Sequence, residues 1–148
     1  MLQNQHFSLV CAESCTAGLI ADTLASIPGA SLVLWGSFVC YQNDAKQQML
    51  GIDGSYINQF GPVSKEVAEA MVHGALQHSS ADIALAITGI AGPNSDGTGV
   101  PVGTVWISVV KRGREPLTRV HLFKGTRQSI RKQGARKALE MVRTILGS

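Results

Sequence analysis

Ala81 to Ile87 (ADIALAI) is a continuous apolar stretch of strand length, and a strand with no polar face has to be covered on both sides. A chain built around such a strand needs helices above and below it, and the rest of the sequence supplies them. Phe7 to Ala12 (FSLVCA) is a second short apolar run. It stops at Glu13-Ser14-Cys15-Thr16, after which a helix is expected from Ala17 to Ile27, with Leu19, Ile20, Leu24 and Ile27 at helical spacing and Pro28-Gly29 closing it. Trp35 to Gln42 (WGSFVCYQ) reads as another strand, and Asn43 or Asp44 is placed to cap a short helix that carries Lys46, Met49 and Leu50 and ends at Gly51.

Residues 53–62 carry no clear preference and close on Gly61-Pro62. Ser64 is expected as the N-cap of a helix running to His78, with Glu66 in its first turn and Val67, Met71 and Ala75 along one face. Thr104 to Val110 and Leu117 to Phe123 are β-rich and read as a hairpin across residues 111–116. The last helix, about Arg127 to Leu146, turns Ala135, Leu139, Val142 and Leu146 to one face. The expected fold is α/β: a single three-layer α/β/α domain over residues 1–148 with a mixed, mainly parallel sheet.

Composition narrows the function classes. At 45% hydrophobic and 16% charged residues the chain has the means to bury a core. Met1 to His6 lack the layout of a signal peptide, and the apolar runs fall short of the ~18 residues of a membrane span. A cytoplasmic protein with no membrane association is expected. Thirteen Lys plus Arg against ten Asp plus Glu leave a surplus of +3, too small to indicate nucleic acid, and no aromatic stacking platform or nucleic-acid module is recognisable. Cys11, Cys15 and Cys40 form an odd set with no C-x-x-C pair and no histidine at metal-ligand spacing, so reduced cysteines, no disulfide framework and no metal are expected.

Several residues could carry chemistry. Ser14 lies at a strand-to-helix turn, where a hydroxyl can be exposed while backbone N–H groups face a substrate oxygen, although Ser14 or Thr16 as an ordinary N-cap fits the same position. Cys15 is the rival nucleophile if a helix N-terminus lowers its pKa; its other reading is a small buried side chain. None of His6, His73, His78 and His121 is well placed as a base. Lys46 would serve if burial made it neutral, and otherwise is a surface lysine; Tyr41 could orient it, assist a leaving group, or pack in the core. For an anion, the loop Thr88-Gly89-Ile90-Ala91-Gly92 and the start of the last helix, with Arg127 and Arg131, are the two candidate sites. Walker and dinucleotide patterns are not met, and no nucleotide cofactor is expected.

Five motifs occur in order: Ala12-Glu13-Ser14-Cys15-Thr16-Ala17-Gly18, Tyr41-Gln42-Asn43-Asp44-Ala45-Lys46, Gly61-Pro62-Val63-Ser64, Thr88-Gly89-Ile90-Ala91-Gly92-Pro93 and Pro101-Val102-Gly103-Thr104-Val105. In them the chain resembles the CinA C-terminal domain family over nearly its whole length. That family includes stand-alone nicotinamide-nucleotide amidases, which convert nicotinamide mononucleotide to nicotinate mononucleotide and ammonia. The resemblance implies a serine amidase in pyridine nucleotide salvage that needs no metal or cofactor. Ser14 would be its nucleophile and Lys46 its base, with Tyr41 nearby. Thr16 and the Thr88 to Gly92 loop would lie on a small-molecule mononucleotide substrate. Charge and helix position make Arg127 and Arg131 the candidates for its 5′-phosphate.

Three departures stand out: Ala17 where the family usually has glycine, Thr126 where an aspartate is common, and a short N-terminus where relatives usually have a helix. Loss of that helix is expected to expose an apolar sheet face, which a homo-oligomer would cover. These departures leave a second reading, a catalytically silent homologue that binds a nucleotide or a partner protein.

Overall fold

The structure is a computed structural model and describes residues 1–147; Ser148, the end of the expected domain, lies outside the described residues. In chain order the elements are β1 (Leu9–Glu13), α1 (Leu19–Ala25), a 3-10 turn (Ala30–Leu32), β2 (Leu34–Val39), α2 (Asn43–Leu50), α3 (Gly54–Phe60), α4 (Lys65–Gln77), β3 (Ile83–Gly89), β4 (Thr104–Lys111), β5 (Leu117–Leu122) and α5 (Arg127–Gly147). The sheet runs β2-β1-β3-β4-β5. β1 pairs in parallel with β2 and β3, while β4 is antiparallel to both β3 and β5, so β4 runs against the other strands of the sheet. This is the mixed, mainly parallel sheet that the sequence predicts.

Alternation along the two central strands divides the core into two layers. Leu9, Cys11, Ile83, Leu85 and Ile87 pack against α1 and α5, whose contributions include Ile20, Ala138, Met141 and Val142. Val10, Ala12, Ala84 and Ala86 face the other way, against Leu50, Ile57, Val67, Met71 and Ala75 of α2, α3 and α4. The alanines on this face take little room, and the helices over it crowd together. A Cβ on Gly74 of α4 would stand 2.5 Å from the Leu50 carbonyl oxygen at the end of α2. Substitution at Gly74 therefore has to push α2 and α4 away from each other.

Ser64 caps α4 as expected, its hydroxyl accepting from the Val67 N–H at 3.2 Å. Four expectations are corrected. Residues 54–60, ambiguous in the sequence, form α3, started by Asp53, whose carboxylate accepts from the Ser55 N–H at 2.9 Å. α1 begins at Leu19 rather than Ala17, because Ala17 (φ 49°) and Gly18 (φ 99°) both adopt the left-handed conformation. α2 begins at Asn43, so neither Asn43 nor Asp44 is its cap; Gln42 holds that position with no side-chain bond. The sheet face expected to lie open is covered over its centre, where every residue of β1 is buried and Leu2 and Phe7 join α1 and α5, while Val120 and Leu122 on the edge strand β5 stay exposed.

The path of the chain decides where a ligand can bind. From β1 it passes through α1 on one face to β2, and from β2 it returns through α2, α3 and α4 on the other face to β3, on the far side of β1. Connections that leave the carboxyl ends of neighbouring strands in opposite directions diverge there and open a crevice. Ser14, the Tyr41 to Lys46 segment and the Thr88 to Gly92 segment all stand at carboxyl ends of parallel strands around that point.

Candidate active site

The crevice is a cleft of about 620 Å³, within the ordinary range for small-ligand sites. Ser14, Tyr41, Lys46, Thr88, the Gly89 to Gly92 loop and Arg127 line it, and no histidine among the described residues does. Among the described residues, no three His, Cys, Asp or Glu side chains gather as metal ligands. No helix of the described residues is long and apolar enough to cross a membrane.

Lys46 is the central side chain. In α2 it shares the buried stripe with Leu50, one turn on, and is only 1% exposed. Its Nζ donates to Ser14 Oγ at 3.1 Å and to the main-chain carbonyls of Cys40 and Tyr41, each at 3.2 Å. It forms no ion pair among the described residues. Loss of water pulls its pKa below the ordinary lysine value. The amine is thus held between two carbonyls and one hydroxyl, in an environment that favours its neutral form.

Ser14 follows β1 directly. Its N–H continues the strand pairing by donating to Ile87 O at 3.1 Å, and its carbonyl accepts from the Ala17 N–H at 3.1 Å. It is not a helix cap, since α1 starts five residues later at Leu19. Cys15 lines the same cleft, but burial pushes its thiol up to about 11. This overturns the lowered pKa that a helix N-terminus would have given it: the helix begins too far along the chain, and desolvation outweighs the nearby Arg131 and Lys46 charges.

The remaining candidates divide. Thr88 and the Gly89 to Gly92 loop reach the cleft; Thr88 is almost wholly buried and donates its hydroxyl to Pro62 O at 2.7 Å. Gly89 is required where it stands, because a Cβ there would come within 2.8 Å of Thr104 O. Arg127 also reaches the cleft and bridges two of its walls, Nη1 donating to Gly92 O at 2.7 Å and Nη2 to the Tyr41 hydroxyl at 2.8 Å. Tyr41 therefore holds Lys46 by its main chain, while its half-exposed phenol meets Arg127.

Thr16 and Arg131 do not line the cleft. Thr16 is wholly buried, its hydroxyl donating to Glu13 Oε1 at 2.8 Å. Arg131 donates from Nε to Cys15 O at 3.0 Å and from Nη2 to Thr16 O at 2.9 Å. One turn of α5 separates Arg131 from Arg127, and that rise carries it from the cleft to the back of the serine turn. Thr126 caps α5, its hydroxyl accepting from the Ser129 N–H at 3.2 Å; aspartate could do the same, so this departure from the family pattern preserves the helix start.

Glu13 joins the site without having been a candidate from its sequence position. It is wholly buried and accepts four hydrogen bonds: from Thr16 Oγ1, from the N–H groups of Ile20 (2.8 Å) and Ala21 (3.2 Å), and from Ser37 Oγ (2.8 Å). It ties the serine turn to the start of α1 and to β2. The only local hint is an acidic residue ending an apolar strand.

Comparison with known proteins agrees with this fold. The family model described as the CinA C-terminal domain matches residues 1–146. A CinA-like protein from Akkermansia muciniphila is 43% identical over 138 residues, covering 93% of this chain and 33% of that protein. One from Syntrophotalea carbinolica is 43% identical over 148 residues, covering all of this chain and 36% of that protein. The chain thus spans about a third of these relatives' length. Among solved structures, the competence/damage-inducible protein of Agrobacterium tumefaciens superposes with a TM-score of 0.92 at 40% identity, covering 97% of this chain and 87% of that one. A CinA superfamily protein from Escherichia coli superposes with a TM-score of 0.93 at 30% identity, covering 97% and 83%.

Proposed function

The chain belongs to the CinA C-terminal domain family, and from that premise we propose that it hydrolyses the carboxamide of nicotinamide mononucleotide to nicotinate mononucleotide and ammonia, with Ser14 as nucleophile and Lys46 as base. The observation that carries this reading is the buried lysine amine 3.1 Å from the serine hydroxyl, with two main-chain carbonyls as its other partners. A neutral amine has two N–H donors and one lone pair. With the donors on Cys40 O and Tyr41 O, the lone pair is left for the Ser14 proton.

In the acylation step Ser14 Oγ adds to the carboxamide carbon while its proton passes to Lys46 Nζ. N–H groups of the serine turn receive the negative oxygen. Collapse breaks the C–N bond, and the proton on Lys46 goes to the nitrogen, which leaves as ammonia. Water then gives a proton to the same amine as it adds to the acyl carbon. The bond to Ser14 breaks, and the serine recovers its proton from Lys46. No cofactor enters this sequence of steps. Arg127, which lines the cleft and has guanidinium donors beyond the two used on Gly92 O and the Tyr41 hydroxyl, is the candidate for the 5′-phosphate.

Ammonia release from nicotinamide mononucleotide by the purified protein tests the reading. Ser14→Ala is expected to abolish release with the fold unchanged by circular dichroism, and Cys15→Ala to retain most of it. A folded wild-type protein that releases no ammonia would overturn the proposal, and the reverse pattern of the two variants would make the thiol the nucleophile.

A further inference from the structure

The cleft carries charges of both signs, and they are kept apart. Asp44, in the first turn of α2, and Asp96, in the loop after β3, line it together with Arg127. They belong to the two walls that Arg127 joins, Asp44 following Tyr41 and Asp96 following Gly92. No ion pair ties either carboxylate to Arg127 or to Lys46 among the described residues.

Each carboxylate is held by its own neighbours. Asp44 Oδ2 accepts from Gln48 Nε2 at 2.9 Å, and Asp96 Oδ1 accepts from the Thr98 N–H at 3.0 Å and from the Thr98 hydroxyl. Asp44 Oδ1 and Asp96 Oδ2 take no part in these bonds. With Lys46 favoured in its neutral form, two carboxylates stand against one guanidinium, and the lining is negative in a chain whose net charge is +3. A phosphate alone would call for positive charge only, so the carboxylates answer to another part of the ligand.

The proposed substrate has such a part. In nicotinamide mononucleotide the carboxamide is carried on a pyridinium, whose ring nitrogen is positive because it is bonded to the ribose. With the carboxamide at Ser14 and the phosphate on Arg127, that cationic ring lies in the same cleft as the two carboxylates. Pro62, Val63, Ile90 and Ala91 give the cleft apolar surface on which a flat ring can rest. Asp44 and Asp96 are exposed, so water screens their attraction and its effect is modest and dependent on salt.

We propose that Asp44 and Asp96 set the substrate class of the cleft: they select carboxamides borne on a positively charged ring over those borne on a neutral one. This rests on the reading of the cleft as the site of a ring carboxamide. It makes the two residues determinants of specificity, distinct from the groups that carry out the chemistry.

Binding is measured by calorimetry on Ser14→Ala, which holds the ligand without turnover, and on the same protein with Asp44→Asn, Asp96→Asn or both. The ligands are nicotinamide mononucleotide and its uncharged isostere, the C-nucleoside 5′-phosphate with benzamide in place of nicotinamide. At low salt, Ser14→Ala is expected to bind the cationic ligand about tenfold more tightly than the isostere. The double replacement is expected to raise Kd for nicotinamide mononucleotide about tenfold and that for the isostere less than about twofold, each single replacement giving part of the effect. Raising the salt to about 0.5 M is expected to shrink the difference between the ligands, while the phosphate they share cancels from the ratio.

Equal affinity for the two ligands in Ser14→Ala would overturn the proposal, as would replacements that weaken both ligands alike. So would replacements that lower the melting temperature and leave the ratio unchanged, since the carboxylates would then serve only the start of α2 and the loop. Should the double variant not fold, the single ones decide by the same ratio. A wild type that releases no ammonia, beside a Ser14→Ala protein that prefers the cationic ligand, removes the amidase reading and leaves the charge selection standing. Ammonia release without that preference removes the charge selection alone, and failure to bind either ligand removes both.

Discussion

At the scale of single residues, the site depends on one charge kept out of water. Lys46 acts as a base only when neutral, and burial has already moved it toward that form. Activity is therefore expected to rise with pH along a limb and to level off below the ordinary lysine value of about 10.4. The measurement is kcat/KM against pH, and a limb centred at the ordinary value would contradict a desolvated base. Lys46→Arg, which stays charged throughout, is expected to lose activity by at least about 100-fold. None of this burial is visible at position 46 of the sequence, where a lysine in a short helix is indistinguishable from a surface lysine. It arises when α2 packs against α4 and turns Lys46 inward with Leu50. Glu13 is equally silent in the sequence, because Ser37 and the N–H groups it accepts from meet it only once the sheet and α1 have formed.

At the scale of elements, the sequence is legible where a signal is local and illegible where it is not. Ser64 and the hydrophobic spacing after it identify α4 without reference to anything distant. α3, seven residues long, offers too few turns for a periodic pattern, and Asp53 is its one mark. The two arginines at the start of α5 are alike in charge, and only the placement of the helix against the serine turn tells them apart. The junction between β1 and α1 shows the physical content of a departure from the family pattern. Ala17 is exposed, so its methyl group crowds nothing inside the protein, and what is unfavourable is its left-handed backbone at φ 49°. Ala17→Gly is expected to stabilise the protein by about 0.5–1 kcal/mol, after allowing for glycine's greater freedom when unfolded. Urea unfolding at an unchanged m-value checks this, and an equal or lower midpoint would mean that the turn is not strained.

At the scale of the whole molecule, three segments far apart in sequence meet at one end of the sheet, and Arg127 joins two of them from a third direction. A phosphate bound there would be held by a guanidinium already braced at both walls. Arg127→Ala is expected to raise KM for nicotinamide mononucleotide about tenfold more than for nicotinamide riboside, which lacks the phosphate. Equal effects on the two substrates would remove the phosphate assignment. The three-layer order and the mixed sheet are legible in the sequence because each rests on short apolar runs and turn residues. The division of labour between residues that face the cleft and residues that hold its walls is not, because it is decided by contacts between distant segments.

The reversed direction of β4 has a practical side. Its pairing with β3 sets Val105 beside Gly89 at the cleft end and Lys111 beside Ile83 at the other, so the hairpin tip lies at the pole opposite Ser14. Gly113 and Arg114 are exposed there, in a turn closed by the Arg114 N–H on Lys111 O at 2.9 Å. A fluorescent reporter spliced between these two residues, or an immobilisation handle attached to them, would anchor the molecule with its cleft facing outward, ready for surface-based assays of turnover.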